Sequence, residues 1–233
     1  MKEVRVAKEA SGKGLLKGQG GFTLVELAIV LVIIGIILGA VIKGQDLIQG
    51  ARAKKLITSL KSWEMLTWAY MDRMGYFPGD ADNKDGLIGD DAAEQTTAGS
   101  AIGTLAATGT MQNIPPNPVQ LGSSNYYIYI GYDSGTNKNC MVICANAACT
   151  ATFTNDDLAI IQAVDTAIDG TADAGLGRFR GATAVTLAGT GTVNNIQAGA
   201  VTAVTAVNST TAGSSTPWAT TDVAAVYMFD KPY

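Results

Sequence analysis

The apolar residues of this chain follow three patterns in turn. From Leu27 to Ile42, sixteen consecutive residues carry neither a charge nor a polar side chain. Counted from Phe22 the run is twenty-one residues, interrupted only by Thr23 and Glu26. As a helix it is about 31 Å long at ~1.5 Å per residue, the thickness of a bilayer core. From Gln45 to Met74 the apolar residues thin into a stripe. Leu47, Ala51, Leu56, Ile57, Leu60, Trp63, Tyr70 and Met74 recur at helical spacing, with Arg52, Lys54, Lys55, Lys61 and Glu64 mostly off it. No proline interrupts before Pro78, and Gly75 is placed to cap a helix that Pro78 then forbids to continue. These positions predict one helix over 22–74. Its first half needs apolar surroundings on all sides, and its second half needs them on one face.

Past Pro78 the pattern shortens to strand length. Asn125 to Tyr132 alternates and is aromatic, which predicts a strand. Cys140–Ala145 and Cys149–Phe153 read as a hairpin around Asn146-Ala147-Ala148. Thr154 or Asn155 caps a helix running to about Ile168, with Asp156 and Asp157 in its first turn and Asp169-Gly170 at its end. Ala182–Leu187 and Val223–Phe229 are further strands. Residues 188–221 hold no charge and are rich in Ala, Thr, Gly, Ser and Val. They are expected to form short irregular strands or a surface excursion, a candidate for a variable outer surface.

Charge changes this picture at the N-terminus. Lys2, Arg5, Lys8, Lys13 and Lys17 against Glu3 and Glu9 give residues 1–21 a net +3, which leaves −7 for the rest. A basic flank before an apolar run keeps that end in the cytoplasm and sends the remainder across the membrane. The chain has no histidine, which removes His-dependent triads, general bases and metal ligands together. The acidic remainder argues against a broad nucleic-acid face. No Walker, Rossmann or nucleophile-elbow motif is present, so no enzymatic reaction is expected.

Glu26 is the oddity, since a lone carboxylate in lipid costs ~2.5–3.5 kcal/mol near the bilayer centre and less near its interface. Its context is Lys17-Gly18-Gln19-Gly20-Gly21-Phe22-Thr23-Leu24-Val25-Glu26. This string resembles the prepilin signal of type IV pilins and type II secretion pseudopilins, and the resemblance runs on to about Tyr76. It implies a leader, 1–21, removed by a membrane aspartyl peptidase that cuts between Gly21 and Phe22 and N-methylates Phe22. It also implies that Glu26 pairs with the new amine of a neighbouring subunit during assembly. Gly35 and Gly39 form a Gly-x-x-x-Gly pair suited to close helix packing, although Lys43-Gly44 stand where many pilins have a proline.

The implied fold is α+β and lollipop-like. A membrane and filament-core helix, 22–44, continues as an amphipathic helix, 45–76, packed on the antiparallel β-sheet of a head, 77–233. The implied role is a structural subunit of a pilus-like filament, with a pseudopilin, a minor pilin and a non-polymerising membrane anchor as alternatives. The implied partners are related pilin subunits, the prepilin peptidase, an assembly ATPase with its membrane platform, and the inner membrane. The implied location is the bacterial inner membrane, then a surface pilus or a periplasmic pseudopilus.

Two features of the head carry possible chemistry. The loop 80–91 resembles an EF-hand calcium loop in composition but not in register: with Gly86 as the turn glycine, Ala81 falls at the first ligand position and no Glu at the twelfth. A solvated acidic turn is the simpler expectation. A calcium site drawn from Asp80, Asp82, Asp85 and Asp90 is the alternative. Cys140, Cys144 and Cys149 allow three pairings, of which Cys144–Cys149 across a hairpin is favoured.

Overall fold

The computed structural model describes residues 21–107, 109–133, 135, 138–206 and 215–230. By contact density the chain divides into a unit ending at Gly44 and a second unit from Gln45 onward. Helix α1 runs Leu24–Met74, starting two residues later than the apolar run suggests. Gly75 ends it in the left-handed conformation (φ 83°), and its N–H donates to the Met71 carbonyl at 2.8 Å.

In the first unit, every side chain from Phe22 to Ile42 is exposed. This is the one segment among the described residues long and apolar enough to cross a membrane. In the second unit, α1 turns Ala53, Leu56, Ser59, Leu60, Trp63, Thr67 and Tyr70 inward. The inward stripe is narrower than the sequence suggests, because Leu47, Ala51 and Met74 are exposed. The pattern correctly places Leu56, Leu60, Trp63 and Tyr70. It misses Thr67, whose hydroxyl is satisfied by the Trp63 carbonyl at 2.9 Å and so tolerates burial.

The head continues with α2 (Ala101–Ala106), β1 (Val119–Leu121), β2 (Ser124–Asp133), β3 (Lys138–Cys144), α3 (Asn155–Asp169), β4 (Phe179–Val193), β5 (Ile196–Ala206) and β6 (Ala224–Met228). The strand order is β1-β2-β3-β6-β4-β5, and β5 also pairs with β2. Strands β2, β3, β6, β4 and β5 therefore close a circuit of five. Four of its pairings are antiparallel and the closing one, β2–β5, is parallel. Gly131 makes the closure possible, since a Cβ there would stand 2.5 Å from Val201. Buried Asn117 stitches the same seam with its amide, donating to the Ile128 and Gln197 carbonyls and accepting from the Ile128 N–H.

Closure buries both faces of the central strands. Ile128, Ile130, Met141, Ile143, Ala225 and Tyr227 pack in one core with Leu56, Leu60 and Trp63 of α1. Their alternates Tyr129, Cys140, Val142, Cys144, Val226 and Met228 form a second core with Val201 and Val204 of β5. Cys140–Cys144 and Ala224–Met228 are unbroken apolar runs for that reason, as strands buried on both sides must be. Tyr227 also ties β6 to α1: its hydroxyl accepts from Lys61 and Arg178 and donates to Glu64 at 2.9 Å.

Two expectations need correction. The hairpin 140–145/149–153 does not form. Cys149 takes a positive φ (51°), and Asn146 closes the turn by accepting from the Thr150 and Ala151 N–H groups, so the chain leaves β3 toward α3 instead of returning beside it. The uncharged segment 188–221 is largely regular. It supplies the end of β4 and all of β5, joined at Asn194-Asn195, both at positive φ. That is the backbone a tight two-residue hairpin turn needs. Residues 207–214 of the segment lie outside the described residues.

Candidate functional site

The first turn of α1 carries the N-terminal chemistry. The Thr23 N–H and hydroxyl both donate to Glu26 Oε2, at 2.9 and 2.8 Å, and the Glu26 N–H donates back to Thr23 Oγ1 at 3.2 Å. This is a reciprocal capping box that satisfies two of the helix's orphan donors. Its signature, Thr-x-x-Glu before an apolar run, stands in the sequence and went unread there because Glu26 was considered only as a charge. Gly21 and Phe22 precede the helix, and the Phe22 side chain is 82% exposed. The remainder of the leader, 1–20, lies outside the described residues. Beyond the neighbouring backbone of α1 itself, no described atom lies within 4 Å of where a Cβ on Gly35 or Gly39 would sit.

The acidic loop after α1 is built around Asp80, one of the four candidate ligands, and holds a second buried carboxylate, Glu94, that the sequence did not single out. Asp80 is 1% exposed, and its two oxygens accept from the Asp85 and Gly86 N–H groups, which pins the turn. Asn139 of β3 anchors the loop to the sheet, accepting from the Ile88 N–H at 3.0 Å and donating to the Gly86 carbonyl at 2.7 Å. Glu94 lies beneath, 3% exposed, with Oε2 accepting from the Gly89 N–H at 3.0 Å. Burial pushes its carboxyl up to about 7, with Asp80 and Asp90 adding repulsion. Burial also raises Asp80 and Asp90, each further raised by neighbouring carboxylates. Asp82 and Asp85 are exposed, and Asp85 is engaged with Asn83 and the Leu87 N–H. The structure thus brings Asp80 and Asp90 toward Glu94 and leaves Asp82 and Asp85 on the outside.

Cys144 and Cys149 are joined by a disulfide, with Cα atoms 5.1 Å apart. Cys140 is a buried free thiol whose ionisation is opposed by burial. A second acidic group, Asp165, Asp169 and Asp173, holds loops. Asp165 accepts from the Asp173 N–H and from Trp218 Nε1, Asp169 from the Arg178 and Phe179 N–H groups, and Asp173 from Gly175, Thr216 and Ser215. These carboxylates serve mainly backbone N–H groups, with Trp218 and Ser215 as the side-chain donors, so their role is structural.

Comparison with known families settles what the first turn belongs to. The chain carries the prokaryotic N-terminal methylation motif. The match covers residues 16–42, which include the Gly21-Phe22 junction, Glu26 and both Gly35 and Gly39. The motif is the signal of type IV pilins and pseudopilins, and with α1 packed on the sheet of the second unit it supports a precursor of that kind. It points to a structural protein rather than an enzyme, to handling by a prepilin peptidase and to a membrane-anchored precursor. No curated protein and no solved structure matches the chain.

Proposed function

We propose that the chain is a subunit of a type IV pilus-like filament, cut between Gly21 and Phe22, N-methylated at Phe22 and polymerised through the first half of α1. One observation carries this reading beyond the motif. The apolar side chains from Phe22 to Ile42 are exposed all round, and beyond the backbone of α1 no described atom lies within 4 Å of a Cβ at Gly35 or Gly39. Lipid satisfies the apolar surface as well as another helix does, so hydrophobicity alone does not favour assembly. Close packing at Gly35 and Gly39 and neutralisation of Glu26 supply the difference. Before cleavage Glu26 is held by Thr23. After cleavage the Phe22 amine offers a positive charge, and the amine of a neighbouring copy relieves the cost of keeping Glu26 in an apolar medium.

The test is intact mass in two fractions, membranes and material sheared from the cell surface. A species lacking residues 1–21 and heavier by one methyl, in the sheared fraction, is the expected result. The same species confined to membranes favours a pseudopilin or a minor pilin. An uncleaved chain, in cells whose peptidase processes other substrates, refutes the reading and leaves a plain membrane anchor.

A further inference from the structure

We propose that the loop from Gly79 to Gln95 is a site for a divalent cation of the calcium type, with Glu94 and Asp90 as its inner carboxylate ligands. The case starts from two oxygens. Glu94 Oε1 and Asp90 Oδ1 are both buried and have no hydrogen-bond donor, in a residue that for Glu94 is 97% inaccessible. Among the described residues no Lys or Arg pairs with either carboxylate. An uncompensated ion in such a place costs several kcal/mol, and native proteins tolerate it only with a counter-charge. Asp80 and Asp90 add negative charge around Glu94, and Asp85 and Asp91 add it around Asp90, which the N–H groups of Gly89 and Asp82 on Glu94 offset only in part.

The donor set is all oxygen, with no cysteine or histidine near, which selects a hard cation over zinc or copper. The frame is fixed in advance. Asp80 closes the turn, Asn139 moors it to β3, and Gln95 Nε2 holds the Gly89 and Asp90 carbonyls at 3.2 Å. Among the described residues no three acidic or cysteine side chains converge within chelating reach. Main-chain oxygens and water therefore complete the shell, and a site with so few carboxylates belongs in the ~10⁻⁴–10⁻³ M range of extracellular modules. The ligand set differs from the one composition suggests, in that Asp82 and Asp85 take no part. The inference is independent of filament assembly.

The full chain in detergent, stripped with a chelator, is melted with and without calcium, and titrated with terbium under tyrosine excitation, since Tyr76 stacks on Lys84 of this loop. Saturating calcium is expected to raise Tm by about 5 °C, with calcium displacing terbium emission. Glu94→Gln removes the calcium shift yet melts no lower than the wild type without calcium, because the buried charge has gone. Asp90→Asn gives the same loss should the first variant fail to fold, and Asp85→Asn keeps the shift. A wild type that ignores about 10 mM calcium, while losing stability from pH 5 to 8, shows that protons neutralise the pair and overturns the proposal. So does an undiminished calcium shift in both Glu94→Gln and Asp90→Asn.

Discussion

Between Leu24 and Ile42 helix α1 exposes every side chain, Leu31 at 69% and Ile36 at 68% among them; between Ala53 and Tyr70 the same helix buries Leu56 and Trp63 completely. The exposed stretch is the more hydrophobic of the two. Mean hydropathy therefore says nothing about where an apolar side chain will be covered, whereas periodicity does. A stripe at helical spacing has its partner in the same chain. An apolar surface running all round has none there, and takes lipid or other helices instead.

Substitutions that treat the two stretches alike should give opposite results. Trp63→Ala opens a cavity in the main core and should cost about 3–5 kcal/mol in thermal or denaturant unfolding of the head, whereas Leu31→Ala should leave that transition within about 0.5 kcal/mol of wild type. A comparable loss from Leu31→Ala would mean that the apolar stretch is covered by the head after all.

A smaller effect separates the head's buried charge from its buried apolar surface. The Asp165 carboxyl is raised from 3.8 to about 6, chiefly by burial. Because the folded state holds this proton more tightly than the unfolded one, its contribution is favourable below pH 4. It is lost as pH rises to 6, on the order of 2 kcal/mol in all. Asp165→Asn should flatten that part of the stability–pH curve, and melting the two proteins side by side at pH 4, 5 and 7 checks it. Cys144→Ser should remove ~2 kcal/mol through the short loop it closes, read as a matching drop in wild-type stability under reductant.

The smallest effect compares the two capping boxes. Thr154→Ala breaks the box with Asp157 at the start of α3 and should cost about 1 kcal/mol in head unfolding. Thr23→Ala breaks the equivalent box with Glu26 and should leave head unfolding unchanged while fraying the first turn of α1, which amide exchange at Glu26 and Leu27 would report.

What the sequence made legible follows the same division. The helical segments, the strand at Asn125–Tyr132 and the strand at Val223–Phe229 announce themselves through period and length, and Gly75 and Gly170 mark helix ends by the one backbone conformation they favour. The β4–β5 hairpin was missed because Ala, Thr and Gly give little contrast between faces, and its turn is Asn-Asn rather than the familiar Asn-Gly. The returning strand after Cys149 was wrongly expected because Cys149–Phe153 has strand-like composition beside a turn at Asn146-Ala147-Ala148, whereas the disulfide it was meant to carry forms across the turn alone. In the acidic loop, counting carboxylates put Asp80, Asp82, Asp85 and Asp90 on an equal footing, although Asp82 and Asp85 are exposed. Glu94 was invisible because only the fold shows that this residue, and not its neighbours, is covered.

The closed circuit of strands has a consequence for life in a crowd. A sheet with open sides presents rows of unpaired amides that other sheets can extend, and heads brought together at high local density would meet side by side. Here β5 is pinned to β2 at Ile130–Ala200 and Gly131–Val201, and β1, paired with the start of β2, is only three residues long. Less template is left than on a fully open sheet for heads to fuse into continuous sheets, which favours their meeting as separate bodies when crowded.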